Sequence, residues 1–167
     1  IAQNSLTITA GGLLDIQALT SGMNISLSAA DLNIASNGQL GQSTQTQNLT
    51  ISNDGTSQFV LGGTGTAGAF SLDADEFTRV HSGGDILINA QGPGSTDPDL
   101  LVQNLVAQVA TGSGTATDGN IGTAGSLMLR TQNDARVDGD LTLTNAGDAN
   151  RLTINAGNQL RIDATSG

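Results

Sequence analysis

Apolar residues recur two apart along this chain, with polar residues between them. The fullest copies are Leu6-x-Ile8-x-Ala10, Leu14-x-Ile16-x-Ala18, Ile25-x-Leu27-x-Ala29, Phe70-x-Leu72-x-Ala74, Ile86-x-Ile88-x-Ala90, Leu152-x-Ile154-x-Ala156 and Leu160-x-Ile162-x-Ala164. Shorter copies are Leu32-x-Ile34, Leu49-x-Ile51, Phe59-x-Leu61, Leu127-x-Leu129 and Leu141-x-Leu143. Such alternation predicts half-buried β-strands, because successive side chains on a strand point to opposite faces. Gly, Asn, Asp, Ser and Thr separate the copies, and these residues turn a chain.

The spacing of the copies predicts how they pack. Starts at 6, 14, 25 and 32 are 8, 11 and 7 apart, and starts at 141, 152 and 160 are 11 and 8 apart. One short and one long step therefore make a unit of about 19 residues. A unit that small buries no core alone and must stack on copies of itself. The expected fold is all-β, a right-handed parallel β-helix (β-solenoid) of about seven to eight coils, with inward Leu, Ile, Val and Ala in columns. The whole of 1–167 reads as one such segment of a longer protein. Its end echoes its beginning: Leu152, Thr153, Ile154, Ala156, Gly157, Leu160, Ile162 and Ala164 each match the residue 146 positions earlier.

Two stretches break the rhythm. Residues 38–48 (GQLGQSTQTQN) are polar and read as a loop or irregular turn. Residues 92–125 read as an excursion from the coils. Within it Asp97 stands as a helix N-cap, Pro98 at the first helical position and Asp99 in the first turn. Leu101, Leu105 and Val109, with Val102 and Val106, fall at helical spacing, which predicts a short helix at 97–110. A buried strand is the alternative reading.

Composition limits the chemistry. There are fifteen acids, fourteen of them Asp, against five Arg and no Lys, for a net charge of −10. Nucleic acid and anionic lipid require basic patches, so neither is an expected partner, and no apolar run is long enough to span a membrane. Without Cys there is no disulfide or thiolate metal site. No dinucleotide site is expected from Gly63-x-Gly65-x-x-Gly68: it matches GxGxxG, but a strand pattern follows it instead of the required helix. His81, the sole histidine, has no triad or zinc partner in the sequence and reads as a turn residue.

The acids remain. Asp73/Asp75, Asp97/Asp99 and Asp138/Asp140 are carboxylate pairs two residues apart, the kind of pair that acts as acid and base on glycosides. No Tyr or Trp provides a platform for a sugar ring, so a solvated acidic surface is the expected use. In the loop NDARVDGD, Asp134, Asp138 and Asp140 are candidate calcium ligands, since a hard cation takes oxygen donors. No catalytic residue and no other cofactor is expected. The sequons Asn24-Ile-Ser26 and Asn48-Leu-Thr50 read as chance matches in a chain rich in Ser and Thr.

The Leu-x-Ile-x-Ala strands, with turns such as Ala10-Gly11-Gly12, Ala156-Gly157-Asn158 and Ser82-Gly83-Gly84, resemble the shafts of filamentous haemagglutinin-like exoproteins of two-partner secretion. Autotransporter passengers look similar. The resemblance covers most of the chain outside 92–125, although the NPNG-type secretion motif and membrane-barrel segment are missing from these residues. It implies a structural, non-enzymatic shaft of a secreted or cell-surface bacterial adhesin or fibre, active in attachment or matrix assembly. The partners it implies are flanking repeats of the same chain or identical subunits, with a host surface or polysaccharide as target. The alternatives are a carbohydrate-active β-helix (lyase or depolymerase) and a binding module using residues 92–125.

Overall fold

The computed structural model describes residues 4–42, 45–64, 68–92, 99–108, 125–144 and 151–163. In chain order the elements are β1 (Ser5–Thr9), β2 (Leu13–Ile16), β3 (Leu19–Thr20), β4 (Asn24–Ala29), β5 (Asp31–Ile34), β6 (Gln39–Leu40), β7 (Asn48–Asn53), β8 (Phe59–Gly62), β9 (Phe70–Leu72), α1 (Ala74–Phe77), β10 (Asp85–Ala90), β11 (Leu100–Gln108), β12 (Ser126–Thr131), β13 (Ala135–Thr144), β14 (Arg151–Ala156) and β15 (Leu160–Asp163). The protein is nearly all β, and every pairing between these strands is parallel.

The first sheet has the order β1-β4-β7-β10-β12-β14, so each return of the chain adds one strand. Its register aligns the alternating motifs. Leu6, Ile25, Leu49, Ile86, Leu127 and Leu152 form one inward row, and Ile8, Leu27, Ile51, Ile88, Leu129 and Ile154 form the next. The four inner members of each row are buried, whereas Leu6, Leu152 and Ile154 at the outer strands are only partly covered. Each fully buried Leu or Ile contributes about 1.5–3 kcal/mol, so these rows are the main apolar support of the sheet. The uniform step of about 19 residues is corrected: successive members of the first row lie 19, 24, 37, 41 and 25 residues apart, and six strands stack.

The second face is less regular. Strands β2 and β5 pair alone, and a five-stranded sheet runs β15-β13-β11-β8-β9. Between them β9 packs beside β5 without a ladder. The chain reaches this place by a detour: from β8 it comes back to β9 and then enters α1. The rings of Phe59 and Phe70 meet across β8 and β9 with centroids 4.4 Å apart. On a third side, β6 pairs with β3 and Leu40 bridges to Val80. In the polar stretch 38–48, Gln39–Leu40 is thus a short strand, and Leu40 is fully buried.

Two further corrections follow from side-chain placement. Residues 100–108 form strand β11, not a helix, and lie inside the second sheet instead of outside the coils. Leu100, Val102, Leu105 and Ala107 face the core. The odd step between 102 and 105 comes from a bulge at Asn104, which adopts φ +45° where the register against β13 shifts. That bulge gave the sequence its helix-like spacing. Asp97, Pro98 and Val109, with the glycine-rich residues after them up to 124, lie outside the described residues. Conversely, Ala74 does not end a strand. Asp73 accepts from the Glu76 N–H at 2.7 Å, Glu76 Oε2 accepts from the Asp73 N–H at 3.0 Å, and this capping box starts the single turn of α1.

Candidate functional site

Among the described residues, many acids lie in or beside strands and accept hydrogen bonds from neighbouring strands. Asp134, at the start of β13, accepts at Oδ1 from Asn158 Nδ2 (2.6 Å) and from the Gln159 N–H (3.0 Å). Asp138 Oδ1 lies 2.7 Å from Arg136 Nε. Asp140 is exposed, and its N–H donates to Asn104 Oδ1 at 3.1 Å. The three calcium candidates therefore do not converge on one point. Among the described residues, no group of three or more His, Cys, Asp or Glu side chains is placed to hold a metal ion.

The carboxylate pairs also separate. Asp73 caps α1 while Asp75 sits in its first turn. Asp97 lies outside the described residues. Asp99 is buried, with Oδ2 accepting from Asn133 Nδ2 and, at 3.5 Å, from Thr131 Oγ1. Its Oδ1 has no partner among the described residues and lies against Gly92, where any Cβ would collide with it. An open groove of about 470 Å3 lined by Gly63, Thr64, Gln103, Asn104, Asp138 and Gly139 carries one carboxylate, and Arg136 holds it. The strand before Gly63 is β8 and the next element is β9, so the glycines do not start a helix. Residues 65–67 of that motif lie outside the described residues. His81 follows the bridge residue Val80, and its N–H donates to Leu40 O at 2.8 Å.

A cluster not readable as a site from sequence closes the gap in the second face. Glu76 Oε1 accepts from the Ile34 N–H at 2.9 Å, and Arg79 donates to Ile34 O from Nε (3.0 Å) and Nη2 (2.7 Å). Asp31 Oδ1 accepts from the Leu32 and Ser71 N–H groups at 2.9 and 3.0 Å. These side chains replace the ladder that β5 lacks on this edge, since a buried main-chain group without a partner is costly. Burial raises the Glu76 carboxyl above its usual value, helped by the nearby Asp73 charge; the N–H groups of Asp73 and Ile34, and Arg79, pull it back. The readable signal was Asp73-x-x-Glu76, the spacing of a capping box.

On the outer side of β13 and β15, charges alternate in a ladder. Arg136 Nε sits 3.0 Å from Asp163 Oδ2, and Arg161 Nε sits 2.8 Å from Asp163 Oδ1. The hydrogen bond from Arg161 leads in lowering the Asp163 carboxyl, and the bond to Asp138 leads in raising the Arg136 guanidinium. On the first sheet, Asn48 Nδ2 donates to Asn24 Oδ1 at 2.8 Å, so the two sequon asparagines stack on each other.

Among the described residues, the ladders end at two margins. One is formed by β1 and β2, and the other by β14 and β15. At the second margin Leu160 and Ile162 continue the inward positions of Ala135 and Val137, yet they are 44% and 64% exposed because nothing among the described residues lies beyond them. No described helix is long and apolar enough to cross a membrane. No family model, curated protein or solved structure matches this chain.

Proposed function

We propose that this chain is a right-handed β-solenoid that acts as a structural shaft segment of a secreted or cell-surface bacterial adhesin or fibre. The observation that carries the reading is the pair of in-register aliphatic rows crossing six parallel strands. Stacked strands of this kind make a stiff rod, with main-chain hydrogen bonds along its axis and an acidic surface that keeps it dispersed. The proposed role is mechanical: to extend a binding surface away from a cell or to build an extracellular matrix.

A glycosidase-like centre needs two free carboxylates at a defined separation; of the candidate acids, Asp73 caps α1 and Asp138 pairs with Arg136. A recognition loop at 92–125 would leave the core intact when removed, but Leu100, Val102, Leu105 and Ala107 are part of that core. Immuno-electron microscopy of producing cells, with fibre diffraction of the purified material, tests the proposal. Labelled fibres outside the cell and an axial repeat of ~4.8 Å are expected. Label confined to the cell interior, or particles with no such repeat, would overturn it.

A further inference from the structure

We infer that the outward face of the first sheet pairs with the same face of a second copy of this chain, about a two-fold axis centred between Leu87 and Met128. The inference goes beyond the shaft reading and does not require it. The face lies on inner strands: β10 is laddered to β7 and β12, and β12 to β10 and β14, so no strand edge is involved.

Alternation sets what this face displays. Positions pointing away from the aliphatic rows are Ser, Thr or Asn throughout β1, β4 and β7. On β10, β12 and β14 they also include Leu87, Met128, one acid (Asp85) and two guanidiniums (Arg130 and Arg151). A chain of net charge −10 thus places a single acid among the outward positions of its six-stranded sheet. Leu87 and Met128 are register neighbours, Met128 is 39% exposed, and the two line an open, mainly apolar groove of about 270 Å3.

Charge decides the partner. Asp85 lies two residues before Leu87 and Arg130 two residues after Met128. They therefore sit at opposite corners, each about 7 Å along its strand from the apolar centre. Both are exposed. Asp85 Oδ1 accepts from the Ser126 N–H, a neutral donor, at 2.8 Å, and no ion pair among the described residues engages Arg130. A two-fold axis lying between two such faces sets Asp85 against Arg130 of the copy and Arg130 against its Asp85. Leu87 then meets Leu87, and Met128 meets Met128. The strands of the two copies cross obliquely, as those of packed sheets do. Two opposite-charge pairs flank one apolar centre, and an isologous contact of this kind closes at two copies. An anionic polymer would gain from Arg130 but be repelled by Asp85, whereas a second copy uses both. Six strands of about five residues offer roughly 500 Å2 per copy, the low end of specific interfaces, so the pair is expected to be weak and concentration-dependent.

Sedimentation equilibrium over a concentration series tests this on the full chain, with circular dichroism as the check on folding. The wild type is expected to pass from monomer to dimer and no further. Arg130→Asp sets like charges together at both corners and is expected to weaken the dimer about tenfold or more. Asp85→Arg is expected to weaken it as much, although it reduces the net negative charge and with it the general repulsion between copies. An equimolar mixture of the two variants is expected to pair as tightly as wild type, because each corner then holds opposite charges. Met128→Ser is expected to weaken pairing with no rescue from either variant. Arg130→Asp that pairs as well as wild type would overturn the inference, and so would a mixture no tighter than its components. Growth beyond two copies that is indifferent to both reversals would reject it as well. A wild type that stays monomeric throughout would reject it and leave the shaft reading standing. Retention of that monomer on immobilised dextran sulfate, lost in Arg130→Asp, would assign the face to an anionic polymer instead.

Discussion

The first sheet and the second face are built from the same alternating sequence but held together differently. In the first sheet, six strands follow one another without a gap, and main-chain ladders join all of them. On the second face the ladder breaks between β5 and β9, and side chains bridge the break: Asp31, Glu76 and Arg79 take over the main-chain groups of Leu32, Ile34 and Ser71. The difference teaches that parallel stacking tolerates a detour of the chain where charged side chains satisfy the open ladder. Regularity is supplied by apolar rows, and irregularity by specific polar contacts. The two regions should therefore fail in different ways.

The largest expected effect is in the regular sheet. Ile51→Ala removes a fully buried side chain from the middle of a row and should cost about 3–4 kcal/mol, read as a shift of the urea midpoint at constant slope. Glu76→Ala leaves the N–H groups of Ile34 and Asp73 without an acceptor and should cost about 2–3 kcal/mol. Losses of equal size from a substitution on the exposed side of the first sheet would erase the distinction between the two regions.

Glu76→Gln sharpens the comparison through pH. The folded carboxyl is raised above its ordinary value of 4.5 by burial. Its contribution is therefore fully present below that unfolded value and lost as pH rises through the folded one. The stability of wild type relative to Glu76→Gln should fall as pH rises from about 4.5 and then level off. A difference independent of pH would show that the folded Glu76 carboxyl is not raised above its ordinary value.

Gly139→Ala probes the bulge shared by β11 and β13. Gly139 has φ +93°, and a Cβ would strike the Asn104 amide, so a loss of about 1–2 kcal/mol is expected by thermal unfolding. The smallest effect belongs to the exposed charge ladder. Asp163 is held below its ordinary 3.8 by Arg161, so its contribution is present above that value and disappears as pH falls through the lower folded one. Asp163→Asn should remove that acid-limb dependence, and added salt should remove most of it in the wild type as well.

How much was readable varies with the same contrast. Every strand of the first sheet starts from an alternating aliphatic motif, so period two sufficed there. Strand β11 was misread because it breaks alternation at Asn104, opposite Gly139 and Asp140 of β13: the buried positions 100, 102, 105 and 107 change parity halfway, and a parity change resembles helical spacing. The capping box at Asp73 and Glu76 was visible as a local pattern, but its role at the edge of β5 was not, because Ile34 lies 42 residues from Glu76. The calcium candidates were close in sequence, but Asp134 is tied to Asn158 and Gln159, Asp138 to Arg136, and Asp140 follows the positive-φ Gly139.

The sequence by itself determined that the chain would alternate inward aliphatic and outward polar residues in short strands, and that strands of one kind would lie in register. That information is local, carried by side-chain period and turn residues. Only the tertiary structure decided how many residues separate successive strands, where the second face breaks, and which acids become structural. Those outcomes depend on contacts between residues tens of positions apart, where a buried N–H must find an acceptor and no local pattern specifies which one arrives.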